Sequence, residues 1–137
     1  SFEKTLTKIN LDAYKNPLFE SGYVQDVRFL TNALLGDSNF ELYFLYKDKK
    51  ERSTAKNYLK EAVEYYTKAI SMAPSQEEVI KIELDRDMDL YLPAELYFYR
   101  GNAYSWMNKD KQACSDWKVA KKLGDEGARD NFRSFKC

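Results

Sequence analysis

Residues 94–124 read AELYFYRGNAYSWMNKDKQACSDWKVAKKLG, and this stretch predicts two short helices folded back on each other. Small residues and aromatic residues recur through it at helical spacing: Tyr97, Gly101, Tyr104, Ala113, Trp117 and Ala120. Antiparallel helices pack closely only where small side chains let the backbones approach, and the large rings then fill the surrounding space. A glycine inside a helix costs about 1 kcal/mol relative to alanine, so a close helix contact explains Gly101.

The same six positions resemble the signature of the tetratricopeptide repeat, a family of helical-hairpin repeats. Arg100 and Asp125 depart from it, since the family usually has leucine and proline there. The resemblance implies an all-α fold in which antiparallel hairpins stack as a short right-handed solenoid. The segment LGDEGAR at 123–129, followed by a terminal cysteine, also resembles the last repeat of short bacterial repeat proteins, many of them exported.

A second and weaker match to this repeat covers residues 53–74. Ala62, Tyr66, Ala69 and Pro74 occupy the positions of the second helix. For the first helix, Tyr46 suits the leading aromatic position, but Lys50 stands where the glycine belongs and Ser53 where an aromatic belongs. We therefore interpret this unit as a degenerate repeat with a convincing second helix only.

The chain of 137 residues predicts a single helical domain. Residues 75–93 form an insertion, which opens on the capping-box pair Ser75 and Glu78 and ends at Pro93, a residue suited to the first turn of a helix. Residues 125–137 form a capping helix that begins at Asp125.

The first part of the chain shows helical spacing but little resemblance to the repeat. We expect helices over residues 2–14 and 23–35, a break at Gly36-Asp37-Ser38, and a further helix from Phe40 to about Arg52 with an aromatic front. Ser53 is the expected cap of the helix that follows.

Composition excludes several function classes. The formal net charge is zero, which argues against a nucleic-acid partner, and no run approaches the ~20 apolar residues of a membrane span. The absence of histidine removes most catalytic bases and the commonest metal ligand, so we expect no enzyme, cofactor or metal. Asp85, Asp87 and Asp89 alternate as in a calcium loop, but Leu90 and Leu96 stand where that loop requires glycine and glutamate.

The two cysteines lie at comparable distances on either side of the turn at Gly124-Asp125. Residues equidistant from the turn of an antiparallel pair are neighbours, so Cys114 and Cys137 are candidates for a disulfide, which would imply an oxidising compartment. Two free thiols in a reducing compartment are the alternative. No export signal is visible in a chain that opens at Ser1, but such signals are removed on export. The resemblance to exported repeat proteins favours an envelope location, and the cytoplasm is the alternative.

The expected binding face lies on the first helix of residues 94–124, opposite its packing face: Glu95, Phe98, Tyr99, Asn102 and Trp106. In the repeat family the matching face lines a groove that holds peptides, which implies a protein or peptide partner. Of the residues that clamp a peptide carboxylate in that family, only Asn102 is matched, so we do not expect that mode. The alternatives are that this face packs against the insertion or the N-terminal helices, or that a second copy covers it in a homodimer.

Overall fold

A computed structural model describes residues 26–86 and 90–137, which form six α-helices and no strand. The all-α prediction is confirmed. The helices are α1 (Val27–Asp48), α2 (Arg52–Ser71), α3 (Gln76–Arg86), α4 (Pro93–Trp106), α5 (Asp110–Lys122) and α6 (Glu126–Ser134). The expected helix over residues 2–14, together with Asp87 and Asp89, lies outside the described residues. Within the described ranges, no helix is both long enough and apolar enough to cross a membrane.

Three of the connections between helices are three-residue turns of the same form. Their middle residues, Lys50, Asn108 and Gly124, all have positive φ, at 62°, 59° and 98°. In each turn the following amide donates to a carbonyl five residues back, as in the bond from Asp125 to Ala120. This is the Schellman arrangement, which ends a helix by satisfying its last carbonyls and reverses the chain. The prediction that Gly124 ends its helix is confirmed.

The short turns make each pair of neighbouring helices antiparallel. α1 packs along α2 as the first hairpin, and α4 packs along α5 as the second. The two hairpins meet mainly through α2 and α4, and α6 packs on α5. Buried residues of both hairpins share one core cluster, which includes Phe29, Tyr66 and Leu96.

α1 runs without interruption through Gly36, Asp37 and Ser38, so the predicted break there is wrong. Gly36 is buried under the ring of Tyr66, where an added methyl group would lie 2.5 Å from ring carbons. Asp37 accepts a hydrogen bond from the Tyr66 hydroxyl at 2.6 Å. These contacts stabilise the helix at residues that, taken locally, favour a turn, because packing overrides propensity.

Gly101 occupies the same structural position in the second hairpin. An added methyl group there would lie 2.6 Å from Cδ1 of Trp117, whose ring is 1% exposed. In both hairpins a glycine on the first helix therefore lies under an aromatic ring of the second. The packing role expected for Gly101 agrees with this contact.

Each helix of the first hairpin extends seven residues further from its turn than the matching helix of the second hairpin. The length is counted between the turn residue and the glycine or ring that pack on each other. Gly36 precedes the turn residue Lys50 by 14 residues, whereas Gly101 precedes Asn108 by 7. On the second arms, Tyr66 follows Lys50 by 16 residues and Trp117 follows Asn108 by 9. Seven residues make almost two helical turns, so the same faces still meet.

This offset corrects the interpretation of residues 46–53. Tyr46, Lys50 and Ser53 are not the first-helix positions of the first hairpin, because the glycine that contacts Tyr66 is Gly36. Ser53 is also not a cap, since α2 begins at Arg52 after Glu51 and has no side-chain cap. Ala62, Tyr66 and Ala69 are buried on α2, while Pro74 is exposed beyond its end.

The insertion between the hairpins is tied to the start of α4. The predicted capping box is confirmed, because the Ser75 amide donates to Glu78 Oε2 at 3.4 Å and the Glu78 amide to Ser75 Oγ at 3.2 Å. Pro93 is the first residue of α4, as expected. Gln76 Oε1 accepts from the Ala94 amide at 2.9 Å, so the insertion satisfies a donor that the helix start leaves unpaired.

Arg100 stands at the position where the repeat signature has leucine, and its side chain forms a forked ion pair with Asp116. Its Nε and Nη2 each donate to a carboxylate oxygen of Asp116 on α5 at 2.7 Å. The third nitrogen, Nη1, donates to Thr67 Oγ1 on α2 at 3.1 Å. The guanidinium thus connects the two helices of the second hairpin and links them to the first.

Candidate functional site

A groove of about 670 Å³ opens between α1 and α4, with α5 and α6 contributing to one end. We call it the aromatic groove, because rings make up most of its lining. The lining residues are Asp37, Phe40, Glu41, Phe44, Tyr66, Phe98, Tyr99, Asn102, Ser105, Trp106, Trp117, Asn131 and Phe135. Its volume falls within the range of ligand-binding clefts in proteins.

Four of the five expected binding residues line this groove: Phe98, Tyr99, Asn102 and Trp106. Glu95 does not; it is half-buried near the start of α4. None of the described insertion residues lines the groove, but Tyr91 of the insertion donates to Asp37, which does. At Trp106 the face packs against rings of α1, Tyr43 and Phe44, which agrees with the alternative of packing against the N-terminal helices. Along the rest of the groove, rings of α1 and α4 lie on opposite sides.

The wall at Trp106 combines exposed rings with a cation. Trp106 is 45% exposed, and its ring meets that of Phe44 edge to face at a centroid distance of 5.4 Å. The ammonium of Lys47 lies 4.0 Å from the Trp106 ring centroid, in a cation–π contact. Phe44 is itself 36% exposed. Large exposed rings side by side are typical of a surface that a partner covers.

Asn102 presents a hydrogen-bond donor to the groove in a fixed orientation. Its Oδ1 accepts from Trp117 Nε1 and from Asn131 Nδ2, both at 3.0 Å. Two donors to one atom identify that atom as the amide oxygen. The Asn102 amide nitrogen donates to no described residue, so its N–H groups can reach a carbonyl of a ligand.

Asp37 is a half-buried acid at the base of the α1 wall. Its carboxylate accepts from the hydroxyls of Tyr66 and of Tyr91, the latter at 3.0 and 3.1 Å. Burial raises the pKa of Asp37 above its ordinary value, the two hydroxyls oppose that rise, and Glu41 adds to it. Burial also raises the pKa of Tyr66 and Tyr91, so both hydroxyls remain donors.

We expect the stability of the protein to fall as pH rises through the raised pKa of Asp37. An acid with a higher pKa in the folded state than in the unfolded state binds more protons when folded, above about its ordinary value of 3.8. The loss is confined to the pH range between that ordinary value and the raised pKa of the folded protein. Urea unfolding of the wild type and of Asp37→Asn across that window measures it. If the free energies of unfolding of the wild type and Asp37→Asn differ by the same amount at every pH, the raised pKa of Asp37 is contradicted.

The predicted disulfide is present. Cys114 on α5 and Cys137 beyond α6 are joined, with Cα atoms 5.6 Å apart. The bond holds the C-terminal turn over α5, where the ring of Phe135 packs edge to face on Trp117 at a centroid distance of 4.7 Å. The disulfide therefore fixes the element that supplies Phe135 to the groove.

Opening this disulfide is expected to lower the free energy of unfolding by roughly 3 kcal/mol. The bond closes a loop with a sequence separation of 23, and its removal returns entropy to the unfolded chain. Urea unfolding of Cys114→Ser/Cys137→Ser measures the loss, and reductant should destabilise the wild type by a similar amount. The double variant is the control for reductant, to which it should not respond. A loss below about 1 kcal/mol would contradict the entropic account.

The α1 wall of the groove is the part that sequence reasoning missed. Asp37, Phe40, Glu41 and Phe44 follow the i, i+3, i+4, i+7 spacing of one helix face. The sequence contains this spacing, and it predicts the aromatic front that begins at Phe40. The assumed break at residues 36–38 separated Asp37 from the others and hid the common face.

Comparison with known proteins adds no relative: no protein-family model, curated protein or solved structure matches this chain.

Proposed function

We propose that this chain is a non-enzymatic scaffold of the tetratricopeptide-repeat type that binds an extended peptide segment of a partner protein in the aromatic groove. The observation that carries the proposal is the open groove itself, with exposed rings on both walls and an oriented amide donor at Asn102. Rings supply contact area with little loss of side-chain freedom, and an amide donor can pair with a peptide carbonyl.

Several features support stacked antiparallel hairpins, as in a short solenoid, as the architecture behind this function. Both hairpins place a glycine under a ring of the second helix, at Gly36 and Gly101. Their turns share one form, and α6 packs on the end of the second hairpin, as a capping element does in a repeat array. The first helix of each hairpin contributes one wall of the groove.

The disulfide supports a location in an oxidising compartment, such as a bacterial envelope. Disulfides persist in exported proteins and are rare in a reducing cytosol. Cys114 and Cys137 are the only cysteines of the chain, and both are used in the bond. We include this location in the proposal.

The test is selection of a phage-displayed library of random octapeptides on the immobilised protein. We expect enriched sequences whose synthetic peptides bind the wild type, and whose affinity falls at least about tenfold for Trp106→Ala, as for a hot-spot residue. Leu84→Ala is the matched control, because Leu84 is 79% exposed but lies outside the groove. It should bind like the wild type.

Two outcomes would reject peptide binding in this groove. One is a selection that enriches no sequence, and the other is a set of peptides that bind Trp106→Ala as tightly as the wild type. A homodimer that buries Phe44, Trp106 and Phe135 is the competing interpretation of the exposed rings. Sedimentation equilibrium would identify it by a mass that rises with concentration in the wild type and not in Trp106→Ala.

A further inference from the structure

The aromatic groove has an unbalanced charge. Among the described residues that line it, Asp37 and Glu41 carry carboxylates, and the cation on its wall is Lys47, whose ammonium lies over the Trp106 ring. With Lys47 counted, the groove keeps one carboxylate more than it has cations, in a chain whose formal net charge is zero. Asp37 is half-buried, so water screens its charge less than that of a carboxylate in open solvent.

Glu41 is the carboxylate available to a ligand. It is exposed, and it has no ion pair or hydrogen bond with any residue in the described part of the chain. It lies four residues after Asp37 on the same helix face, so the two negative charges repel each other. Asp37 already accepts from two tyrosine hydroxyls, whereas the Glu41 oxygens have no donor. A cation bound between them would relieve that repulsion.

The walls beside these carboxylates have the chemistry of a cation site. The faces of aromatic rings attract cations, and arginine stacks on them with its planar guanidinium. Within this molecule the wall already takes one cation, since the Lys47 ammonium lies over Trp106. Phe40 and Phe44, on the same face as Glu41, stack at a centroid distance of 5.3 Å and offer further ring surface.

We propose that the groove selects peptides in which an arginine or lysine side chain is flanked by apolar residues, with Glu41 as the main anionic partner and Asp37 as the second. The cationic side chain lies against the rings of α1 and pairs with Glu41. The apolar neighbours of that side chain cover Trp106 and Phe98. This inference rests on the proposed peptide-binding function, and it names the chemistry of the peptide.

The test compares two pools of labelled octapeptides by fluorescence polarisation. Both pools are acetylated and amidated at their ends and vary apolar residues around one central position. That position holds arginine in one pool and citrulline, its nearly isosteric neutral analogue, in the other. We expect the arginine pool to bind roughly fivefold more tightly, the factor of about 1 kcal/mol for an exposed ion pair.

Substitution of the carboxylate assigns the preference to its residue. In Glu41→Gln, the ratio between the arginine and citrulline pools should fall close to one, through a loss of arginine binding. Glu61→Gln is the matched control, because Glu61 is an exposed glutamate on α2 outside the groove. It should keep the wild-type ratio.

The outcomes separate this inference from the proposed function. If both pools bind the wild type equally and lose affinity in Trp106→Ala, peptide binding stands and the charge preference is rejected. A ratio that survives in Glu41→Gln rejects the assigned residue. If neither pool binds, the function and the inference both fail.

Discussion

Replacing Asp116 with alanine is expected to lower the free energy of unfolding by about 3 kcal/mol, the low end of the range for a broken buried ion pair. The substitution removes the carboxylate whose two oxygens pair with Arg100, and it leaves the guanidinium between α4 and α5 without a counter-charge. The Arg100 side chain is 16% exposed and that of Asp116 is 6% exposed, so water replaces little of the lost interaction. Burial lowers the pKa of Arg100, and the Asp116 bond outweighs that effect and raises it.

Urea unfolding followed by circular dichroism measures this loss. Asp130→Ala is the control, because it removes an exposed aspartate from α6 and should change stability by about 0.5 kcal/mol or less. The double variant Arg100→Leu/Asp116→Ala should recover at least half of the loss. It removes the unpaired charge and places an apolar side chain between α4 and α5. A single variant as stable as the wild type would show that solvent already compensates Arg100.

Replacing Trp117 with alanine should lower the free energy of unfolding by about 4 kcal/mol, as for other large-to-small changes of buried aromatics. The Trp117 ring is 1% exposed, lies on Gly101 and packs against Phe135. Its loss opens a cavity in the second hairpin and removes a donor to Asn102. We therefore also expect peptide binding to weaken, since the oriented amide of the groove loses one of its two supports.

Trp106→Ala is the matched control for this change, because it removes the other tryptophan of the chain. Trp106 is 45% exposed, so its removal should change the free energy of unfolding by about 1 kcal/mol or less. The two variants thus separate stability from binding: Trp117→Ala should affect both, and Trp106→Ala mainly binding. Similar losses of stability in both would contradict the difference in burial on which this prediction depends.

Sequence reasoning succeeded where the signal and its structural cause lie close together in the chain. The capping box at Ser75 and the end of α5 at Gly124 depend on bonds between residues a few positions apart. The Cys114–Cys137 pair follows from distance to one turn, so an antiparallel pair of helices was enough to suggest it. Gly101 and Trp117 lie on the two helices of one short hairpin, and their spacing matched the repeat signature.

The prediction from sequence is wrong at α1, because the contacts that keep this helix continuous come from a distant part of the chain. Gly36, Asp37 and Ser38 favour a break when taken alone, and the contacts that overrule this preference come from Tyr66 and, through Asp37, from Tyr91. A search at the usual repeat spacing from Tyr66 leads to Lys50 and misses Gly36, because each arm of the first hairpin is longer by seven residues. No local pattern in the sequence shows that both helices of the first hairpin are longer by the same seven residues.

By itself, the sequence determined the helical class, the second hairpin and the aromatic face of α4, and it identified Cys114 and Cys137 as candidates for a disulfide. These depend on periodicity, capping and short-range spacing, which are properties of consecutive residues. Only the tertiary structure decided that α1 is continuous and that its Asp37 and Glu41 face α4 across the aromatic groove. The physical reason is that packing between distant helices sets which faces meet, and contact free energies there exceed the local preferences of glycine, aspartate and serine.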